Sequence, residues 1–321
     1  MVLTRVFVII SLGFLILFGF APSINSDPFW LSPVAQQNNG VELGRIVCPE
    51  GTTLIMKKSN QSPACVKDPA ILLQRGWGLH ILPEYAGIKN TNSDMFESGP
   101  HQVISEMVEY SDGSFGYFAR PTEEMARPGI VMIHEWWGLN DNVKQMAEKL
   151  ASHGYAVLAV DLYNGEVAKS ATVAGSLIKS YDSEVGIALM RDSAEYLKSH
   201  GAEKIGSIGW CFGGRQSLNF ALNVENDATV IYYGQPELDT SKLEKIKSPI
   251  LGIYGKEDAG IPEQSVLEFQ SALDDLGIEN HIHIYDGVGH AFANPSNRNY
   301  SADEANDAWQ KTLEFFEQNL A

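Results

Sequence analysis

Three residues of this chain have the types and the spacing to form a nucleophilic relay: Cys211, Asp258 and His290. Cys211 lies in Gly209-Trp210-Cys211-Phe212-Gly213-Gly214, between a short apolar run at 205–208 and a helix-like stretch at 215–222. A strand, a tight turn and a helix in that order force the central residue of the turn into a strained backbone conformation and lift its side chain above the sheet edge. Small neighbours are needed at such a turn, and Gly209 and Gly213 supply them. The helix that follows would aim its free N–H groups and positive dipole end at the sulfur, which favours a thiolate. Taken alone, the segment could also be a buried structural cysteine in a glycine-rich strand end.

The partners come downstream, in the order nucleophile, acid, histidine that this geometry uses. Ile250-Leu251-Gly252-Ile253-Tyr254-Gly255 reads as a buried strand that runs into Lys256-Glu257-Asp258, with Gly260 and Pro262 closing the turn. An amphipathic stretch at 263–276 reads as a helix, and 281–285 as a further strand. Asp286-Gly287-Val288-Gly289-His290-Ala291-Phe292 follows it. Asp258 and His290 thus each fall just past the C-terminal end of a strand, the sheet edge where ligands bind in open α/β proteins. The histidine can take the thiol proton. The aspartate can fix its tautomer and stabilise the imidazolium.

Over residues 102–320 the chain resembles the dienelactone hydrolase family, the cysteine branch of the α/β-hydrolases. The segments that carry the resemblance are Ile133-His134-Glu135-Trp136-Trp137-Gly138, Val160-Asp161-Leu162-Tyr163, the Cys211 hexapeptide, Tyr232-Tyr233-Gly234, Gly255-Lys256-Glu257-Asp258 and Gly289-His290-Ala291-Phe292. The resemblance implies Cys211 as nucleophile, Asp258 as acid and His290 as base. It also implies that Glu135 controls the ionisation of the thiol, since a carboxylate beside a thiol either repels the thiolate or takes its proton. A salt bridge or helix-cap role is the alternative for Glu135. The main-chain N–H groups of Trp136 and Phe212 match the oxyanion hole. Fixed donors of that kind are worth ~3–4 kcal/mol of barrier.

Two departures bear on substrate choice. Founding members of the family carry a substrate-binding arginine four residues past the histidine; here Asn294 occupies that position, and Arg298 lies four further on. A second family arginine sits in the loop after Asp-Leu-Tyr, where this chain is short and offers Lys169 and Lys179. Trp136, Trp137, Tyr163, Trp210 and Phe292 flank the candidate site. Aromatics at strand ends often serve the core, but their adjacency to site residues points here to an apolar pocket. The expected substrate is a small ester or lactone, cleaved through a cysteinyl acyl-enzyme. The alternatives are a thioesterase or acyl-peptide hydrolase on the same triad, or a catalytically silent surface-binding protein. This chemistry calls for no metal and no cofactor.

The remaining elements position these groups. Strand-like runs at 103–110 and 115–119 flank a turn at Ser111-Asp112-Gly113, and 129–134, 156–161 and 228–233 read as further strands. Asn140 can cap a helix over 141–153, whose Val143, Met146, Ala147 and Leu150 share one face. Residues 164–181 read as a polar cap region, 183–198 as a helix and 302–319 as the closing helix. Alternating strands and helices imply an α/β fold, here an α/β-hydrolase fold with a mainly parallel central sheet flanked by helices and a small N-terminal extension.

The chain has 321 residues and a formal net charge of −17. It has no basic stripe, which excludes nucleic-acid binding. Residues 6–20 carry no charge, after a short start with Arg5, and small residues follow; the segment 1–26 reads as a secretory signal peptide or an uncleaved membrane anchor. Residues 27–100 form a small module and linker that holds Cys48 and Cys65; in an exported protein this pair reads as a disulfide. Residues 101–321 are the hydrolase-like domain. The expected location is outside the cytoplasm, secreted or anchored to the outer face of the cell membrane.

Overall fold

The computed structural model describes residues 98–123 and 127–321, together with the backbone of two short strands, β1 (Thr53–Met56) and β2 (Pro63–Val66). β1 and β2 pair antiparallel, with Leu54 opposite Cys65. The apolar segment 6–20 and the pairing of Cys48 with Cys65 lie outside the described residues. Among the described residues no helix is long and apolar enough to cross a membrane.

The larger unit is built on eight strands. β3 (Val103–Ser111) and β4 (Ser114–Pro121) form a hairpin. β5 (Gly129–Ile133), α1 (Asp141–Ser152), β6 (Ala156–Val160), α2 (Ala171–Ser180) and α3 (Ser183–Ser199) follow. Then come β7 (Ile205–Trp210), α4 (Phe212–Asn223), β8 (Ala228–Tyr232), α5 (Thr240–Leu243), β9 (Ile250–Gly255), α6 (Glu263–Asp275), β10 (Asn280–Tyr285) and α7 (Ala302–Leu320). The sheet order is β10-β9-β8-β7-β5-β6-β4-β3, with β5 to β10 parallel and the hairpin antiparallel at one edge. Every residue of β5 to β9 is buried, as a parallel sheet covered on both faces requires.

Alternation along β5 shows the two layers. Ile130 and Met132 face a cluster with Val143, Met146 and Leu150 of α1 and Trp309 and Phe316 of α7. Val131 and Ile133 face Met190, Ala194 and Leu197 of α3 and Phe220 of α4. A third cluster packs α4 and α6 against β8 and β9 through Leu218, Phe269 and Tyr254.

Local differences from the sequence reading have physical causes. The polar cap region contains a ten-residue helix, α2, which wholly buries only Ala174 and leans Leu177 on the core; the Ser170 side chain caps it by accepting from Val173 N–H. α4 begins at Phe212 rather than 215, because the chain turns directly from Cys211 into helix. β8 stops at Tyr232, since Tyr233 has φ +36° and leaves the extended conformation. The Asn140 cap on α1 is present, with Oδ1 accepting from Val143 N–H at 3.1 Å.

Candidate active site

The carboxyl ends of the parallel strands bring the chemistry together. Cys211 follows β7, Tyr233 follows β8, Asp258 comes three residues after β9, His290 five after β10, and His134 and Glu135 follow β5.

Cys211 sits at φ +56°, ψ −115° as the residue that caps α4, a left-handed conformation that few non-glycine residues adopt. The turn is tight. A Cβ on Gly209 would lie 2.1 Å from the Gly213 carbonyl oxygen, and one on Gly213 would lie 2.3 Å from the Ile133 oxygen. Both contacts are with main chain, so glycine is required at both positions for α4 to approach β5 and β7 this closely. Cys211 N–H donates to Tyr232 O at 3.0 Å, which ties the turn to the end of β8.

Asp258 and His290 are in direct contact, Nδ1 to Oδ2 at 2.6 Å, with the carboxylate buried and the imidazole part-exposed. The second carboxylate oxygen, Oδ1, accepts from the main-chain N–H groups of Gly260 at 2.8 Å and Ile261 at 3.1 Å. Burial pushes the Asp258 carboxyl up, but the His290 hydrogen bond, the His290 charge and these two N–H groups outweigh it and hold Asp258 below its ordinary value. Burial pushes the His290 imidazolium down. Hydrogen bonds to Asp258 and to Cys211, with their charges, outweigh it and raise His290 to about 10. His290 thus holds Asp258 directly on one side and feels the influence of Cys211 as well.

Glu135 is buried beside these groups. Its Oε2 accepts from Asn294 Nδ2 at 2.5 Å, and its Oε1 has no partner among the described residues. Burial is the largest influence and pushes Glu135 up; Asn294 and the His290 charge pull it back only in part, leaving it at about 7. Glu135, Asn294 and Trp210 line a small cavity of about 20 Å³, together with Asn142, Val143 and Pro295. A space of that size holds about one water molecule.

Phe212 is the first residue of α4, a position whose N–H has no partner within a helix, and Trp136 N–H meets no acceptor among the described residues. The indoles of Trp136 and Trp137 lie edge to face, 4.9 Å between centroids. Tyr163 and Tyr181 both pack on the Phe212 ring, at 5.5 and 5.0 Å. They also line a larger cavity of about 240 Å³, whose wall is apolar at Leu162, Leu177, Val185 and Leu189 and polar at Glu166, Ser180 and Asp182. Phe292 is wholly buried between Tyr233 and Tyr285 and lines neither cavity. Lys169, Lys179 and Arg298 are exposed and also line neither.

Tyr233 was not singled out from the sequence. Its ring packs on His290 at 5.2 Å, it is fully buried, and its hydroxyl has no partner among the described residues. The visible signal was the doublet Tyr232-Tyr233 before a glycine at a strand end. Among the described residues no cluster of His, Cys, Asp and Glu could hold a metal ion.

An eight-stranded, mainly parallel sheet with a cysteine elbow after one strand and an acid and a histidine after later ones defines an α/β-hydrolase. The sequence profile of the dienelactone hydrolase family matches residues 115–320, and the chain belongs to that family: it is a hydrolase of the ester- and lactone-cleaving class. It is 31% identical over 232 residues to the protein usf of Aquifex pyrophilus, covering 68% of this chain and all of the relative. It is 31% identical over 255 residues to a protein of Saccharolobus solfataricus named "Putative carboxymethylenebutenolidase", covering 65% and 96%. Among solved structures it is similar to a dienelactone hydrolase-like promiscuous phosphotriesterase from metagenomic libraries, with a TM-score of 0.63 at 24% identity, covering 68% of this chain and 99% of that one.

Proposed function

We propose that the protein cleaves small, uncharged esters or lactones through a Cys211–His290–Asp258 triad and a cysteinyl acyl-enzyme. The observation that carries this reading is the 2.6 Å contact between Asp258 and the His290 imidazole, at the same sheet edge as Cys211 in its left-handed elbow. Asp258 accepts from Nδ1 and leaves Nε2 to the sulfur. Cys211 passes its thiol proton to His290 Nε2, its sulfur attacks the carbonyl carbon and the C=O electron pair moves to oxygen, where the N–H groups of Trp136 and Phe212 face it. His290 gives its proton to the leaving alkoxide as the tetrahedral species collapses to a thioester. A water then attacks the thioester, with His290 taking its proton, and collapse returns the acid product and the Cys211 thiol.

The preference for an uncharged substrate rests on Asn294, a neutral side chain engaged with Glu135 where founding members carry an arginine, and on the wall of the neighbouring larger cavity, which meets the site through Tyr163 and Tyr181 and is lined by no triad residue. Glu166 and Asp182 are the charged groups of that cavity, and the cations of this region stand outside it. An anionic substrate would meet like charge there. The relative whose printed name is a carboxymethylenebutenolidase supports lactone chemistry in general. A panel of aryl esters, neutral and carboxylated lactones and acyl thioesters, run on wild type and Cys211→Ala, tests the reading: turnover of neutral esters or lactones that vanishes in Cys211→Ala supports it, and Cys211-independent turnover overturns it.

Export is a further part of the proposal, supported by the uncharged run at 6–20 and by the two cysteines of the N-terminal segment. Non-reducing peptide mapping of the mature protein checks it. Cys48 joined to Cys65, with Cys211 free, is the expected pattern; two free thiols at Cys48 and Cys65 would remove this part.

A further inference from the structure

His134 is wholly buried at the end of β5, and the triad chemistry makes no use of it. Its Nε2 lies 3.1 Å from Leu162 N–H, a group that can only donate. Nε2 must therefore be the unprotonated, accepting nitrogen, which places the ring proton on Nδ1. Nδ1 lies 2.6 Å from the main-chain oxygen of Glu135, so Nδ1–H donates to it. The same oxygen accepts from Gly138 N–H at 3.2 Å.

The Glu135 carbonyl and the Trp136 N–H belong to one peptide unit. In a planar trans peptide the C=O and the following N–H point in opposite directions. Two donors gripping the Glu135 oxygen therefore fix the direction of the Trp136 N–H on the far side of the plane. The imidazole also stacks on Phe212, at 6.0 Å and 22° between planes, and touches Tyr163 at 4.7 Å. Phe212 carries the other N–H of the pair. One buried ring thus braces the peptide of the first donor by a hydrogen bond and the residue of the second by stacking.

We infer that His134, as the neutral Nδ1–H tautomer bridging Leu162 N–H and the Glu135 carbonyl, is the residue that positions the oxyanion hole. The inference rests on the proposed role of Trp136 N–H. Burial is the largest influence on the ring and disfavours its charged form, with the Glu135 carbonyl and Asp161 opposing in part; the net effect lowers the His134 pKa, so the ring stays neutral. A protonated ring would present a second donor to Leu162 N–H and break the bridge.

The test compares His134→Leu, which fills the space without hydrogen bonds, with His134→Gln, whose amide can accept from Leu162 N–H and donate to the Glu135 oxygen. Three readouts are taken on each: hydrolysis of p-nitrophenyl acetate, inhibition by butanal through a hemithioacetal whose oxygen enters the hole, and alkylation of Cys211 by iodoacetamide, which develops no oxyanion. His134→Leu is expected to lower kcat/KM roughly 10- to 100-fold, mainly through kcat, and to weaken butanal by a similar factor. Alkylation should stay within about twofold, and His134→Gln should recover most of the lost activity. Wild-type hydrolysis in His134→Leu would overturn the inference, and so would an alkylation rate that falls in step with hydrolysis. Should His134→Leu not fold, long-range ¹H–¹⁵N spectra of the wild-type imidazoles decide: a proton on Nδ1 of His134 supports the bridge, and a proton on Nε2 overturns it. Absence of any ester, lactone or thioester turnover in wild type would instead sink the triad reading, and this inference with it.

Discussion

Replacing Glu135 by glutamine should make the protein more stable, and only at neutral and alkaline pH. Burial raises the Glu135 carboxyl from 4.5 to about 7 against the weaker pull of Asn294 and His290. A raised carboxyl means that the folded state holds the proton more tightly than the unfolded state does. Its favourable contribution is complete below about 4.5 and is lost as pH rises through about 7. The difference between those two values corresponds to about 3 kcal/mol. Glutamine cannot ionise, and its Oε1 can still accept from Asn294 Nδ2. The stability of Glu135→Gln relative to wild type should therefore climb by about 3 kcal/mol between pH 4.5 and pH 8.5, which is roughly 10 °C in melting temperature for a domain of this size. Paired urea titrations of the two proteins across that range measure it. Any constant cost of the amide in the cavity cancels, because only the slope with pH matters. A difference that stays flat within about 0.5 kcal/mol would show that Glu135 ionises as an ordinary exposed carboxylate and refute the reasoning. The same substitution should alter the pH dependence of Cys211 alkylation; superimposable profiles would leave Glu135 with a structural role alone.

Three further outcomes are expected. Cys211→Ala should abolish ester turnover while Cys211→Ser keeps a weak activity, because the elbow and His290 can still activate a hydroxyl, though a poorer nucleophile; steady-state rates with an aryl ester decide. Asp258→Asn should lower kcat ~100-fold or more and move the alkaline limb of the rate profile down from about 10 toward neutral, since the hydrogen bond and charge that hold the proton on His290 are lost; a limb that does not move would mean that Asp258 does not set the ring's protonation. Gly213→Ala would put a methyl 2.3 and 2.5 Å from the Ile133 and His134 oxygens, and urea unfolding should show a loss of about 2–3 kcal/mol.

What could be read from the sequence was whatever a local pattern encodes. Continuous apolar runs such as 129–133 and 250–255 announced buried parallel strands, and glycines around Cys211 announced a close turn. Strand-end positions put Asp258 and His290 in order after Cys211 with no contact between them visible, and the family resemblance agreed. What could not be read was set by partners distant in sequence. α2 is short and sits among polar and glycine residues, with one side chain fully buried. Tyr233 gains its place against His290 from a positive φ that no residue type there advertises. His134 looks like an unremarkable member of Ile133-His134-Glu135 until Leu162, 28 residues on, supplies the N–H that fixes its tautomer. In sequence Asn294 marks only the place of a family arginine, whereas its contact is with Glu135, 159 residues away.

The most direct test of the central claim is to catch the acyl group on the sulfur. Wild-type protein mixed with p-nitrophenyl butyrate, quenched in acid before the steady state and mapped by mass spectrometry, should carry one butyryl group, on the peptide containing Cys211, with a burst of p-nitrophenol of matching size. His290→Ala should lose the burst. Steady turnover with Cys211 unlabelled in the quenched samples, or with the butyryl group on another residue, would contradict the account.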